Sequence, residues 1–154
     1  MKRLFKIVVL MAFGLCVYAG AIEQSSALTT EHGAICQSQG GPVGGVGPGI
    51  NGFTNGTQQM AYVVCPIVRV SEPPTAGLAV WIDGYAGTQP TFCTLYSYSF
   101  LGGVPIGAAT TTINAGTFDV LLTLPQSQVP PYSSQVLWCY LAPQGRILDI
   151  EPVN

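Results

Sequence analysis

His32 is the only histidine in this 154-residue chain, so any serine–histidine–carboxylate relay has to be built around it. Such a relay needs the imidazole held between a hydroxyl and a carboxylate. His32 stands ahead of the first expected long strand, in a glycine-rich lead, and no catalytic residue is expected. Glycoside cleavage asks for two carboxyl groups flanking the scissile bond. Glu72, Asp83, Asp119, Asp149 and Glu151 are available, but their spacing singles out no pair, and solvated strand ends or turns account for them equally. Asp149 and Glu151 fall on one side of an expected strand, which hints at a weak calcium site. The reading taken is a polar outer face, with no metal and no cofactor.

Cys36, Cys65, Cys93 and Cys139 lie 29, 28 and 46 residues apart, far from the C-x-x-C spacing of zinc or redox sites. The fifth cysteine, Cys16, falls in a leader expected to be cut off, and the even number left in an exported chain reads as a disulfide framework. Three pairings are open to four cysteines. The one expected is Cys36 with Cys65, tying the glycine-rich lead to the first long strand, and Cys93 with Cys139, joining two strands whose cysteines sit in apolar settings. Closing loops of about 30 and 47 residues stabilises a fold by roughly 3.5 to 4 kcal/mol each.

The aromatic residues are the remaining candidates for function. If Cys93 and Cys139 point inward, strand alternation turns Phe92, Tyr96 and Tyr98 outward with Trp138 and Tyr140. Trp81 likewise lies opposite the core face of its own strand. On adjacent strands these rings would form an exposed platform of the kind that stacks on sugar rings or on another protein. Two plainer readings compete: cross-strand pairs that stabilise a sheet, or the opposite choice of inner face.

The elements that must position these residues are strands. Short runs rich in β-branched and aromatic residues are expected at about 61–70, 77–85, 91–100, 108–114, 117–124, 135–141 and 147–153. Turn residues divide them, including Pro73-Pro74, Gly87, Gly102-Gly103, Gly116, Pro130-Pro131 and Gly145. About seven strands without helical periodicity point to an all-β antiparallel sandwich over 60–154, Ig-like or jelly-roll-like, stapled by disulfides. Leu78, Val80 and Ile82 mark one core face, and Phe118, Val120, Leu122 and Leu124 another. Segment 22–59 crowds eight glycines between Gly40 and Gly56, and reads as a surface loop or flexible lead. No Gly-Lys-Ser/Thr ending makes it a phosphate loop. Asn55-Gly56-Thr57 matches a glycosylation acceptor and also an ordinary turn.

Residues 1–21 have the layout of a secretory signal peptide: Lys2, Arg3 and Lys6, an apolar run from Ile7 to Val17, and Ala19 and Ala21 where a cut would fall. The run is shorter than the roughly 20 residues that span a bilayer, so cleavage without a remaining membrane anchor is expected. Cleavage at Ala21 leaves two arginines against seven carboxylates, a net charge of −5, and no lysine. A basic stripe for nucleic acid cannot be assembled from that, and an anionic membrane surface is disfavoured for the same reason. The expected location is secreted or periplasmic.

Val64-Cys65-Pro66-Ile67-Val68-Arg69, together with Cys93-Thr94-Leu95-Tyr96-Ser97, Trp138-Cys139-Tyr140-Leu141-Ala142-Pro143 and the closing strand, resembles a group of small secreted bacterial four-cysteine proteins. The resemblance covers most of the chain from Cys36 onward and implies a β-sandwich and export. No activity comes with it. The function expected is therefore a non-catalytic extracytoplasmic binding module for a carbohydrate or envelope component, through Trp81, Tyr96, Tyr98, Trp138 and Tyr140. The alternatives are a self-assembling extracellular protein that uses its sheet edges and a small glycan hydrolase.

Overall fold

The computed structural model describes residues 31–40, 44–68, 77–101 and 103–153. The expected leader at 1–21, and Arg69, Val70, Glu72, Pro73-Pro74 and Gly102, lie outside the described residues. Seven long strands carry the fold: β5 (Ala61–Ile67), β6 (Leu78–Tyr85), β7 (Thr91–Tyr98), β8 (Pro105–Ile113), β9 (Thr117–Leu124), β10 (Ser134–Leu141) and β11 (Arg146–Val153). Four short ones precede them: β1 (Glu31–His32), β2 (Gln37–Ser38), β3 (Val46–Gly49) and β4 (Gly52–Asn55). All pairings between them are antiparallel, and they build two facing sheets.

Sheet A runs β3-β4-β11-β6-β9, with β1 also on β11; sheet B runs β2-β5-β10-β7-β8. Period-two alternation sorts each strand into a core side and a solvent side. Leu78, Val80 and Ile82 of β6 are buried, as are Leu122 and Leu124 of β9, with Phe118 and Val120 half-buried against them. Sheet B answers with Val63 and Cys65, Cys93 and Leu95, and Leu137, Cys139 and Leu141. Burying each large aliphatic side chain contributes about 1.5 to 3 kcal/mol, and one buried face per sheet is what this pattern supplies.

The glycine-rich segment is where the structure departs from expectation. Its described part is no loose lead: it adds strands to both sheets and places Phe53 in the core at 1% exposure. The glycines serve close approach. Between Ile147 and Asp149 the register of β11 shifts, a bulge that lets both Ile147 and Ile150 face the core. A Cβ on Gly33 or on Gly52 would collide with the Ile147 carbonyl, and Gly52 also has a φ of +86°. Backbone entropy argued for a loop, but the tight seat against β11 prevailed.

Both disulfides lie in sheet B and match the expected pairing, Cys36–Cys65 and Cys93–Cys139. Cys93 and Cys139 are directly opposed on β7 and β10. Cys36 adjoins β2, one step beyond the Gln37–Val64 pair, so it faces Cys65 in the same way. Four of the five strands of sheet B are thus held in two covalent pairs.

Candidate functional site

The outer face of sheet B is built from cross-strand rows. Tyr62, Tyr140, Phe92 and Thr112 stand opposite one another across β5, β10, β7 and β8. The next row is Val64, Trp138, Thr94 and Thr110, with the hydroxyls of Thr94 and Thr110 hydrogen-bonded at 2.9 Å. Beyond it come Pro66, Val136, Tyr96 and Ala108, and then Ser134 with Tyr98. Tyr62, Phe92, Trp138 and Tyr140 are exposed, and Tyr96 and Tyr98 half-buried. Six aromatic rings therefore share one sheet face.

That face follows from the cysteines. With Cys93 and Cys139 in the core at 0% and 2% exposure, their neighbours Phe92, Trp138 and Tyr140 have to point outward. The rings are not all free to receive a flat ligand. Tyr62 and Tyr140 stack on each other, centroids 4.5 Å apart and planes 32° from parallel, so they present mainly edges and hydroxyls. Tyr96 and Tyr98 lean together at 5.9 Å. Phe92 and Trp138 have no such partner ring among the described pairs.

Trp81 does not join them. It pairs with Leu121 and Glu151 on the outer face of sheet A, on the opposite side of the sandwich. Alternation put it outside its strand correctly but could not tell which sheet that strand would enter. Tyr62 takes the place expected of Trp81. The signal for it was present, since Tyr62 alternates with Ala61 and Val63 and lies at odd phase to Cys65.

Among the described residues, sheet A carries the charge. Asp149, Asp83 and Asp119 are directly opposed across β11, β6 and β9, with Glu151 beside Trp81 and Arg146 beside Tyr85 in the same-face rows on either side. Asp83 has its carboxyl held above the ordinary value of 3.8, first by burial and then by the charges of Asp119, Glu151 and Asp149. Among the described residues no group of three or more histidine, cysteine or carboxylate side chains is arranged to hold a metal ion. His32 is exposed and its Nδ1 accepts from the Ala34 backbone N–H, capping a short 3-10 turn at Gly33–Ile35. It faces Asp149 across β1 and β11.

The glycosylation-like Asn55-Gly56-Thr57 proves to be a structural turn. The Asn55 amide nitrogen donates to the Gln59, Leu141 and Ala142 carbonyls, while its oxygen accepts from the backbone and hydroxyl of Thr57. With the residue fully buried, its nitrogen is out of reach of a glycan donor in the folded chain.

No family model matches the sequence, and no curated protein does. Among solved structures the chain is similar to a carbohydrate-binding module, CBM36 in complex with calcium and xylotriose, at 13% identity and a TM-score of 0.46, covering 82% of this chain and 100% of that one. It is also similar to a Podospora anserina GH26-CBM35 β-(1,4)-mannanase at 13% identity and a TM-score of 0.45, covering 83% of this chain and only 28% of the mannanase. Likeness at this level assigns no ligand, and the reading of function has to stand on the site itself.

Proposed function

We propose that this protein is a non-catalytic binding module that works outside the cytoplasm and takes a carbohydrate or another envelope component on the outer face of sheet B. The observation that carries the reading is the gathering of Tyr62, Phe92, Tyr96, Tyr98, Trp138 and Tyr140 on one face of a sheet stapled by both disulfides. Exposed rings offer apolar area with little rotamer entropy to lose, and sugar C–H faces stack on them. The hydroxyls of Thr94, Thr110, Thr112 and the tyrosines supply donors and acceptors beside the rings. Every described Asp, Glu and Arg lies on sheet A, which leaves this face suited to a neutral ligand.

The disulfide framework fits an oxidising compartment, and the leader read in the sequence fits export. Replacing Tyr96 and Trp138 together with alanine is expected to abolish retention on a responsive polysaccharide, tested across insoluble cellulose, xylan, mannan, chitin and peptidoglycan. Near-UV circular dichroism and the melting midpoint should stay close to wild type. Full retention by the folded double variant would reject the reading.

A further inference from the structure

Two Asn-Gly steps lie in the glycine-rich segment, and the fold treats them oppositely. Before glycine, the side-chain carbon of an asparagine is open to attack by the next backbone nitrogen, because no Cβ flanks that nitrogen. At Asn55-Gly56 every reacting group is held. The Asn55 amide nitrogen donates to the Gln59, Leu141 and Ala142 carbonyls and its oxygen accepts twice from Thr57. The attacking group is engaged too, since the Gly56 N–H donates to the Gly45 carbonyl at 2.6 Å.

Asn51-Gly52 is the reverse case. Ile50 and Asn51 make the turn between β3 and β4, closing on the Gly49–Gly52 pair. Asn51 is exposed, and no side-chain hydrogen bond among the described residues involves it. The two arms of this hairpin are held unequally. β4 is seated: it pairs with β11, buries Phe53 and carries Gly52 tight against the Ile147 carbonyl. β3 pairs with β4 alone among the described strands, and a Cβ on Gly47 would meet nothing within 4 Å. The rotation at Asn51 that ring closure requires therefore swings a loose arm and leaves the core in place.

We propose that Asn51 is a site of spontaneous covalent modification, converting to isoaspartate in the folded chain, and that the conversion detaches β3 from sheet A. The Gly52 amide nitrogen gives its proton to hydroxide and bonds to Asn51 Cγ, closing a succinimide ring. The side-chain nitrogen departs as ammonia, taking a proton from water and returning hydroxide. Water then opens the ring. Cleavage of the bond from nitrogen to Cγ gives aspartate; cleavage of the bond from nitrogen to the backbone carbonyl carbon gives isoaspartate, whose main chain runs through Cβ and Cγ. The net change is water in and ammonia out. Isoaspartate adds one carbon to the main chain inside the turn, and turn length sets the register of a hairpin. β4 keeps its seat on β11, so the loss falls on β3 and on Val46, which packs half-buried against the core.

The test is incubation of the folded full-length chain in mildly alkaline buffer made with heavy-oxygen water, followed by peptic digestion and mass spectrometry. The peptide holding Asn51 should take up label, and isoaspartate scored by isoaspartyl methyltransferase, at least about tenfold faster than those holding Asn55 or Asn114. Asn114 is the slow control, because Ala115 flanks the attacking nitrogen with a Cβ. In urea Asn55 should draw level with Asn51, both then being plain Asn-Gly steps. Hydrogen exchange of the aged folded chain should show β3 losing protection while β4 and β5 keep theirs. An aged Asn51→Gln chain should keep β3 protected, and so should fresh Asn51→Asp, which adds the charge without the extra carbon. Asn51 intact in the folded chain while it converts in urea would overturn the proposal, as would Asn55 keeping pace with it in the folded chain. Unchanged protection of β3 in chains carrying isoaspartate would overturn the detachment.

Discussion

Asn55 shows how a single side chain can close a gap that secondary structure leaves. Its amide nitrogen satisfies carbonyls from three residues, two of them at the end of β10, and its oxygen turns the chain back on Thr57. Asn55→Asp replaces the donor with an acceptor that faces those oxygens. Unmade buried hydrogen bonds cost about 1 to 3 kcal/mol each, so a loss of roughly 3 kcal/mol in chemical denaturation is expected. A variant as stable as wild type would show that the carbonyls find other partners. The sequence offered this residue only as a sequon or a turn. What it hides is that the Leu141 and Ala142 carbonyls arrive from 86 and 87 residues away. Trp81 failed for a related reason, since the phase of a strand is local but its membership of a sheet is not.

At the scale of elements, the long strands were legible because each carries its own alternation and ends in turn residues. Segment 31–59 was not, because its short strands have no periodicity to read and draw their stability from the edges of β5 and β11. Pairing of β11, β6 and β9 sets three aspartates in one row. Because the folded-state pKa of Asp83 is raised, the folded chain holds that proton more tightly than the unfolded chain. Its contribution is therefore favourable below the ordinary value of 3.8 and falls as pH rises through the raised one. Asp83→Asn should melt higher than wild type at pH 7, by about 0.5 kcal/mol if one cross-strand repulsion sets the scale. The advantage should shrink towards pH 3, and a pH-independent difference in thermal melts would contradict it.

The whole molecule is a sandwich with two unlike outer faces, one aromatic and one acidic. The disulfides distribute rigidity unevenly between them, since both lie in sheet B. Replacing Cys93 and Cys139 with alanine opens a constraint spanning 46 residues and is expected to cost about 4 kcal/mol in denaturant unfolding. If the face needs a stiff sheet, ligand retention should weaken even where that variant remains folded. Cysteine spacing and aromatic alternation made this face readable in outline before any pairing was known. The order β5-β10-β7 then determined which rings share it.

The central claim is that ligand lands on sheet B and not on sheet A, and the two tryptophans report on it separately. Trp81→Phe leaves Trp138 as the only tryptophan, and Trp138→Phe leaves Trp81. Titrating each variant with soluble oligosaccharides of the retaining polysaccharide should shift or quench Trp138 emission in the first and leave Trp81 emission unchanged in the second. A saturable response from Trp81 with a silent Trp138 would contradict the account.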